Sequence, residues 1–111
     1  MFSFMEINKK SGTVISLEKA IELTHSYQEN NPEKPNSYFV GLDKINELLQ
    51  QKGSIGLRIY PGLDPQSNQN NMVLVAVDQE GEDLTNGIML DELITCPPMC
   101  PKKPTKLIKS K

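Results

Sequence analysis

Two strand-forming runs, one after the other, constrain this chain more than any other feature. Ser54 to Tyr60 alternates strictly, with Ile55, Leu57 and Ile59 on one side and Gly56, Arg58 and Tyr60 on the other. That is the period-two pattern of a half-buried β-strand. Pro61 to Asn71 is a polar loop rich in Pro, Gly, Asn and Gln, and Met72 to Asp78 is a continuous run of strand formers. The two runs pair most simply as an antiparallel hairpin. In the second run Val73, Val75 and Val77 face one way, and Met72, Leu74 and Ala76 face the other. A strand apolar on both faces is usually buried on both. Its second face therefore needs cover, from the Phe2/Phe4 and Ile88/Met89/Leu90 segments or from a second copy of the chain.

Two amphipathic helices precede the hairpin. Ser16 can cap a helix from Leu17 to about Glu29, with Glu18 in the first turn, where the helix dipole favours an acid. Leu17, Ala20, Ile21, Thr24 and Tyr27 or Gln28 share one face of it, and His25 flanks that face. Pro32 and Pro35 break the chain between helices. Ser37 to Val40 reads equally as a strand or as a lead-in to the second helix, Leu42 to Gln51. That helix carries the stripe Leu42, Ile45, Leu48 and Leu49, with Gly53 placed for a left-handed cap. A shorter strand or a helical turn is expected within Asp83 to Leu93, and Phe2 and Phe4 suggest a short strand at the start. The predicted fold is α+β, with two N-terminal helices packed on a small, mainly antiparallel sheet.

At 111 residues the chain suits one domain, and 37% hydrophobic residues with no Trp predict a modest core. The expected division is a single α+β domain over residues 1–95, followed by a Cys/Pro segment and flexible basic tail over 96–111. No stretch approaches the roughly 20 apolar residues of a membrane span. Residues 1–10 lack the pattern of a signal peptide, so the expected location is cytoplasmic. Charge is divided unevenly. All 14 acidic residues and 7 of the 12 basic ones fall before residue 101, while five lysines and no acid follow. An acidic body disfavours nucleic acid and anionic membranes.

Chemistry-bearing residues are few. Cys96-Pro97-Pro98-Met99-Cys100-Pro101 is the most unusual segment. Its prolines exclude helix, so the first thiol lacks the helix start that activates redox CxxC motifs. Two cysteines are too few for a disulfide framework, and in a reducing compartment thiols are the default. Cys96 and Cys100 remain candidates for redox exchange or for a metal site shared with other ligands, against the simpler reading of a rigid clasp. His25 is the one histidine, and no Ser or Cys is linked to it by spacing. Asp78 to Asp83 has its glycine at the wrong position for a calcium loop and reads as an acidic turn. No glycine pattern matches a phosphate-binding loop. Arg58 and Tyr60 share one strand face, and both residue types anchor interfaces, so they are the first-choice contact face. No cofactor is expected, and the balance leans away from an enzyme.

Ile15-Ser16-Leu17-Glu18-Lys19-Ala20, Gly56-Leu57-Arg58-Ile59-Tyr60, Val73 to Asp78 with Gly81 and Asp83, and Cys96-Pro97-Pro98-Met99-Cys100 occur in that order. In this order the chain resembles, over roughly residues 14–100, a family of short uncharacterised bacterial proteins that end in a similar Cys-Pro-Pro-x-Cys segment. The resemblance implies that the Cys segment is a shared feature, and it implies no catalytic residues. The functional expectation is a non-enzymatic binding or adaptor module, acting on an unknown protein partner or by self-association. Its rival is a small thiol protein working through Cys96 and Cys100.

Overall fold

A computed structural model describes residues 6–110. The expected strand at Phe2 and Phe4 lies outside the described residues. Elements follow in the order α1 (Leu17–Asn30), β1 (Ser37–Phe39), α2 (Leu42–Leu49), β2 (Gly56–Leu63), β3 (Asn70–Val77), β4 (Met89–Leu90) and β5 (Ile94–Cys96). The class is α+β with both helices N-terminal to the hairpin, and all strand pairs are antiparallel. The strands form two sheets, however, in the orders β2-β3-β4 and β1-β5. The chain divides accordingly into two units, residues 1–12 with 40–93, and residues 13–39 with 94–111.

The first unit is built on the predicted hairpin. Its ladder runs from Gly56 opposite Val77 to Leu63 opposite Asn70. Both strands extend into the expected loop, because the ladder is made by main-chain groups and does not require apolar side chains at Gly62, Asn70 or Asn71. Asp64 closes the shortened connection. Its carboxylate accepts the Gln66 N–H at 2.9 Å, which holds the group below its usual pKa, and its main chain bonds to Gln69 and Asn68. β3 is the central strand, which explains its two apolar faces. Leu74 and Ala76 form the core with Leu48 of α2, and Ile45, Leu57, Met72 and Leu90 pack around them. On the opposite face Val75 and Val77 are only 2% and 4% exposed, and Val73 is half-buried.

In the second unit β1 pairs with β5 over Ser37–Cys96, Tyr38–Thr95 and Phe39–Ile94. The ambiguous Ser37 to Val40 segment is thus a strand whose partner lies far along the chain. Ser16 caps α1 as expected, accepting the Lys19 N–H at 3.0 Å. No residue of α1 is fully buried. The only fully buried apolar residue of this unit among those described is Cys96. α1 therefore belongs with the two-stranded sheet in this division, and α2 is the helix in contact with all three strands of the larger one.

Candidate functional site

Arg58 and Tyr60 do share a strand face, and the structure brings both to a third residue, Asp83. Asp83 pairs with Val77 in an isolated bridge, and Val77 lies opposite Gly56. This register sets Asp83 across β3 from Gly56, two residues along the ladder from Arg58. Arg58 Nη1 reaches Asp83 Oδ1 at 2.5 Å, and the Tyr60 hydroxyl donates to Asp83 Oδ2. The Arg58 guanidinium also donates to the Gly81 carbonyl from both Nη atoms, at 3.2 and 3.3 Å. These donors hold the Asp83 carboxyl below its ordinary pKa, the Tyr60 hydroxyl first and the Arg58 guanidinium second. The same hydrogen bond to Asp83 raises the Tyr60 hydroxyl, and Asp83 likewise raises Arg58.

The acidic turn is shaped to present Asp83. Asp78 Oδ1 accepts the Glu80 and Glu82 N–H groups at 2.9 and 3.0 Å, and Gly81 takes φ +83°. With its carboxylate occupied by backbone donors, the turn is an acidic hairpin connection. Among the described residues no group of three or more His, Cys, Asp or Glu could hold a metal ion. The polar heads of Arg58 and Tyr60 are thus committed to fastening the hairpin to this turn. Tyr60 as a residue is nonetheless 44% exposed. Ile59 and Leu63, on the other face of the same edge strand, are each 57% exposed.

Cys96 and Cys100 are joined in a disulfide with Cα atoms 4.7 Å apart. The pairing is compatible with a rigid clasp and with a redox pair alike. Closure follows from the backbone: Met99 N–H bonds to the Thr95 carbonyl, folding the proline segment back on the end of β5. Cys96 is buried and Cys100 exposed. His25 is distant in sequence from its contact, the Lys106 carbonyl at 3.0 Å.

Sequence reasoning missed Asp83 as the partner of Arg58 and Tyr60, although the hairpin register carried the signal. It also missed two amides that pin main chain. Asn71 holds Leu93 by both its N–H and its carbonyl, each at 3.0 Å. Gln28 holds Leu107 and Lys109 in the second unit. An open hollow of about 460 Å³ lies beside Lys9, Ser54, Ile55, Asp78 and Glu80. It brings together no nucleophile and base. No helix among the described residues is long and apolar enough to cross a membrane. No family model matches the chain, and neither the curated proteins nor the solved structures contain a similar one.

Proposed function

We propose that this protein is a non-enzymatic binding module that takes an extended segment of a partner protein along the β2 edge of its larger sheet. The carrying observation is the exposure of Ile59, Tyr60 and Leu63 on an eight-residue edge strand. An edge strand can accept another strand through its unpaired main-chain groups, and alternate side chains then supply specificity. Asp64 N–H bonds across to Gln69, so by alternation the residues at even positions bond to β3 and those at odd positions face the open edge. Pro61 falls at an odd position. Its missing N–H limits the edge and favours a short, register-specific partner over open-ended strand addition. Asp83 fixes the Tyr60 ring in place before any partner arrives, which reduces the ordering cost of binding. A cytoplasmic setting belongs to this proposal.

A photo-crosslinking residue placed at Ile59 or Leu63, in cells, tests the reading, with Lys44 on α2 as the control position. The proposal expects a defined protein adduct at the two edge positions and none at Lys44. No adduct at either edge position, or the same adducts at Lys44, removes it. Sedimentation of the purified chain separates a foreign partner from self-association.

The Cys96–Cys100 pairing favours a second reading, thiol exchange. An external thiolate attacks the exposed Cys100 sulfur, forms a mixed disulfide there and releases Cys96 as thiolate. A second external thiolate then frees Cys100 and leaves as the oxidised dimer of the reductant. Equilibration in glutathione buffers with thiol counting decides this. A pair that stays oxidised to below about −300 mV is a structural clasp and ends the reading.

A further inference from the structure

Asn86-Gly87 is the only Asn-Gly pair in the sequence, and it lies in the connection between the acidic turn and β4. Both residues are exposed. The Gly87 N–H bonds to the Leu84 carbonyl at 3.1 Å, closing a turn with Thr85 and Asn86 at its centre. Position 87 is restricted to glycine by its neighbour, because an added Cβ would collide with Gln51 Oε1. That side chain has little freedom to move aside. Gln51 Nε2 donates to the Leu48 carbonyl at 2.9 Å, and Gln51 Oε1 accepts the Ile88 N–H at 2.8 Å. Packing against the end of α2 thus fixes glycine at 87, and turn chemistry favours asparagine before it.

An asparagine followed by glycine carries a specific reactivity, since without a side chain on the next residue the main-chain nitrogen reaches the asparagine amide with least hindrance. The Gly87 nitrogen loses its proton to solvent base and attacks Asn86 Cγ. A C–N bond forms and closes a succinimide ring; the Cγ–Nδ2 bond breaks, and the amide nitrogen takes a proton from water and leaves as ammonia. Water then opens the ring at one of its two carbonyls. One opening gives aspartate; the other gives isoaspartate, whose main chain runs through Cβ. The turn opposes the first step, because the Gly87 N–H is engaged with the Leu84 carbonyl. On an exposed turn that bond competes with water and opens locally. We propose that Asn86 is a self-modification site, converted to isoaspartate at a rate set by opening of the Leu84–Gly87 turn, and that the conversion detaches β4. That strand is only Met89–Leu90, paired with Val75 and Leu74. Gln51 anchors its entry at Ile88, and Asn71 anchors the chain beyond it at Leu93. Isoaspartate lengthens the main-chain path by one carbon, about 1.5 Å. A shift of that size carries the Ile88 N–H out of hydrogen-bond reach of Gln51 Oε1. β4 lies across β3 from β2, so this site is independent of the β2 edge.

The test ages the full chain at neutral and mildly alkaline pH and follows Asn86 by peptide mapping and enzymatic methylation of isoaspartate. A synthetic peptide of residues 82–91 is the reference. Isoaspartate should form at Asn86 about five- to fiftyfold more slowly in the folded chain than in the peptide, because ring closure waits for the turn to open. The folded rate should rise with pH, since the attacking nitrogen must be deprotonated. Gln51→Ala releases Ile88 and should raise the folded rate at least about threefold. The isoaspartate form, separated by ion exchange, should lose amide protection at Ile88. Asn86→Asp adds the same charge without the extra main-chain atom and should keep that protection. No isoaspartate in the folded chain after about ten peptide half-times overturns the proposal. A folded rate equal to the peptide's also overturns it, as does an isoaspartate form in which Ile88 stays protected. Amide protection along the β2–β3 hairpin verifies that Gln51→Ala is folded, and the comparison of chain with peptide needs no variant.

Discussion

Asp83 gathers two side chains that leave β2 on the same face and ties them to the turn that follows β3. Because these donors lower its pKa in the folded chain, the stability it contributes is fully present above the unfolded value of 3.8 and is lost as pH falls through the folded value. Asp83→Asn should therefore lower the urea midpoint near neutrality and flatten its dependence on acid. Compared at about pH 6 and about pH 3, the wild type should lose more of its midpoint than the variant does. Tyr60→Phe should shift the acid limb toward higher pH by removing the leading donor, with little change in the fold by circular dichroism. Gly81 is the second sensitive residue. Its φ of +83° is costly for a residue with a Cβ, and an added Cβ would stand 3.3 Å from Ile7 Cδ1. Gly81→Ala should cost about 1–2 kcal/mol in chemical denaturation.

At the scale of elements, the two helices are stabilised differently. α2 places Leu48 in full burial against Leu74 and Ala76. Leu48→Ala should cost about 2–5 kcal/mol by lost burial and a residual cavity, read from the urea midpoint at constant m-value. α1 buries no residue fully, so its cap matters more than its face. Ser16→Ala should cost about 1 kcal/mol, visible as faster amide exchange through the first turns of α1. The sequence made these helices and the hairpin legible because their signals are local: a cap, a 3.6-residue stripe, a two-residue alternation. β5 was illegible for the opposite reason. Ile94 to Cys96 is three residues beside a proline run, and only its pairing with β1, more than fifty residues earlier, makes it a strand. The candidate contact face was legible as Arg58 and Tyr60 but not as a cluster with Asp83, since that needs the hairpin register and the turn geometry together.

The whole molecule divides its chemistry between the two units. One holds the buried core and the exposed β2 edge; the other holds the disulfide, the helix without a buried face and the basic segment along it. Replacing Cys96 and Cys100 with serine should cost about 2 kcal/mol by the loop-closure estimate for so short a ring, measured against the oxidised wild type. The sequence-level charge asymmetry has a structural counterpart in Glu29 and Lys109, an acidic helix and a basic end held together.

The second unit joins residues 13–39 to residues 94–111, across the whole of the segment 40–93. During synthesis that order sets a clock. α1 and β1 are made first, and β1 then waits through about 57 further residues before β5 exists, roughly 3–11 s at 5–20 residues per second. The hairpin and α2 are complete before that moment and can close while β1 is still an unpaired strand. A newborn chain thus passes through an interval with Ser37, Tyr38 and Phe39 unpaired beside a helix that has no buried face, the period in which a nascent-chain chaperone has the most to hold.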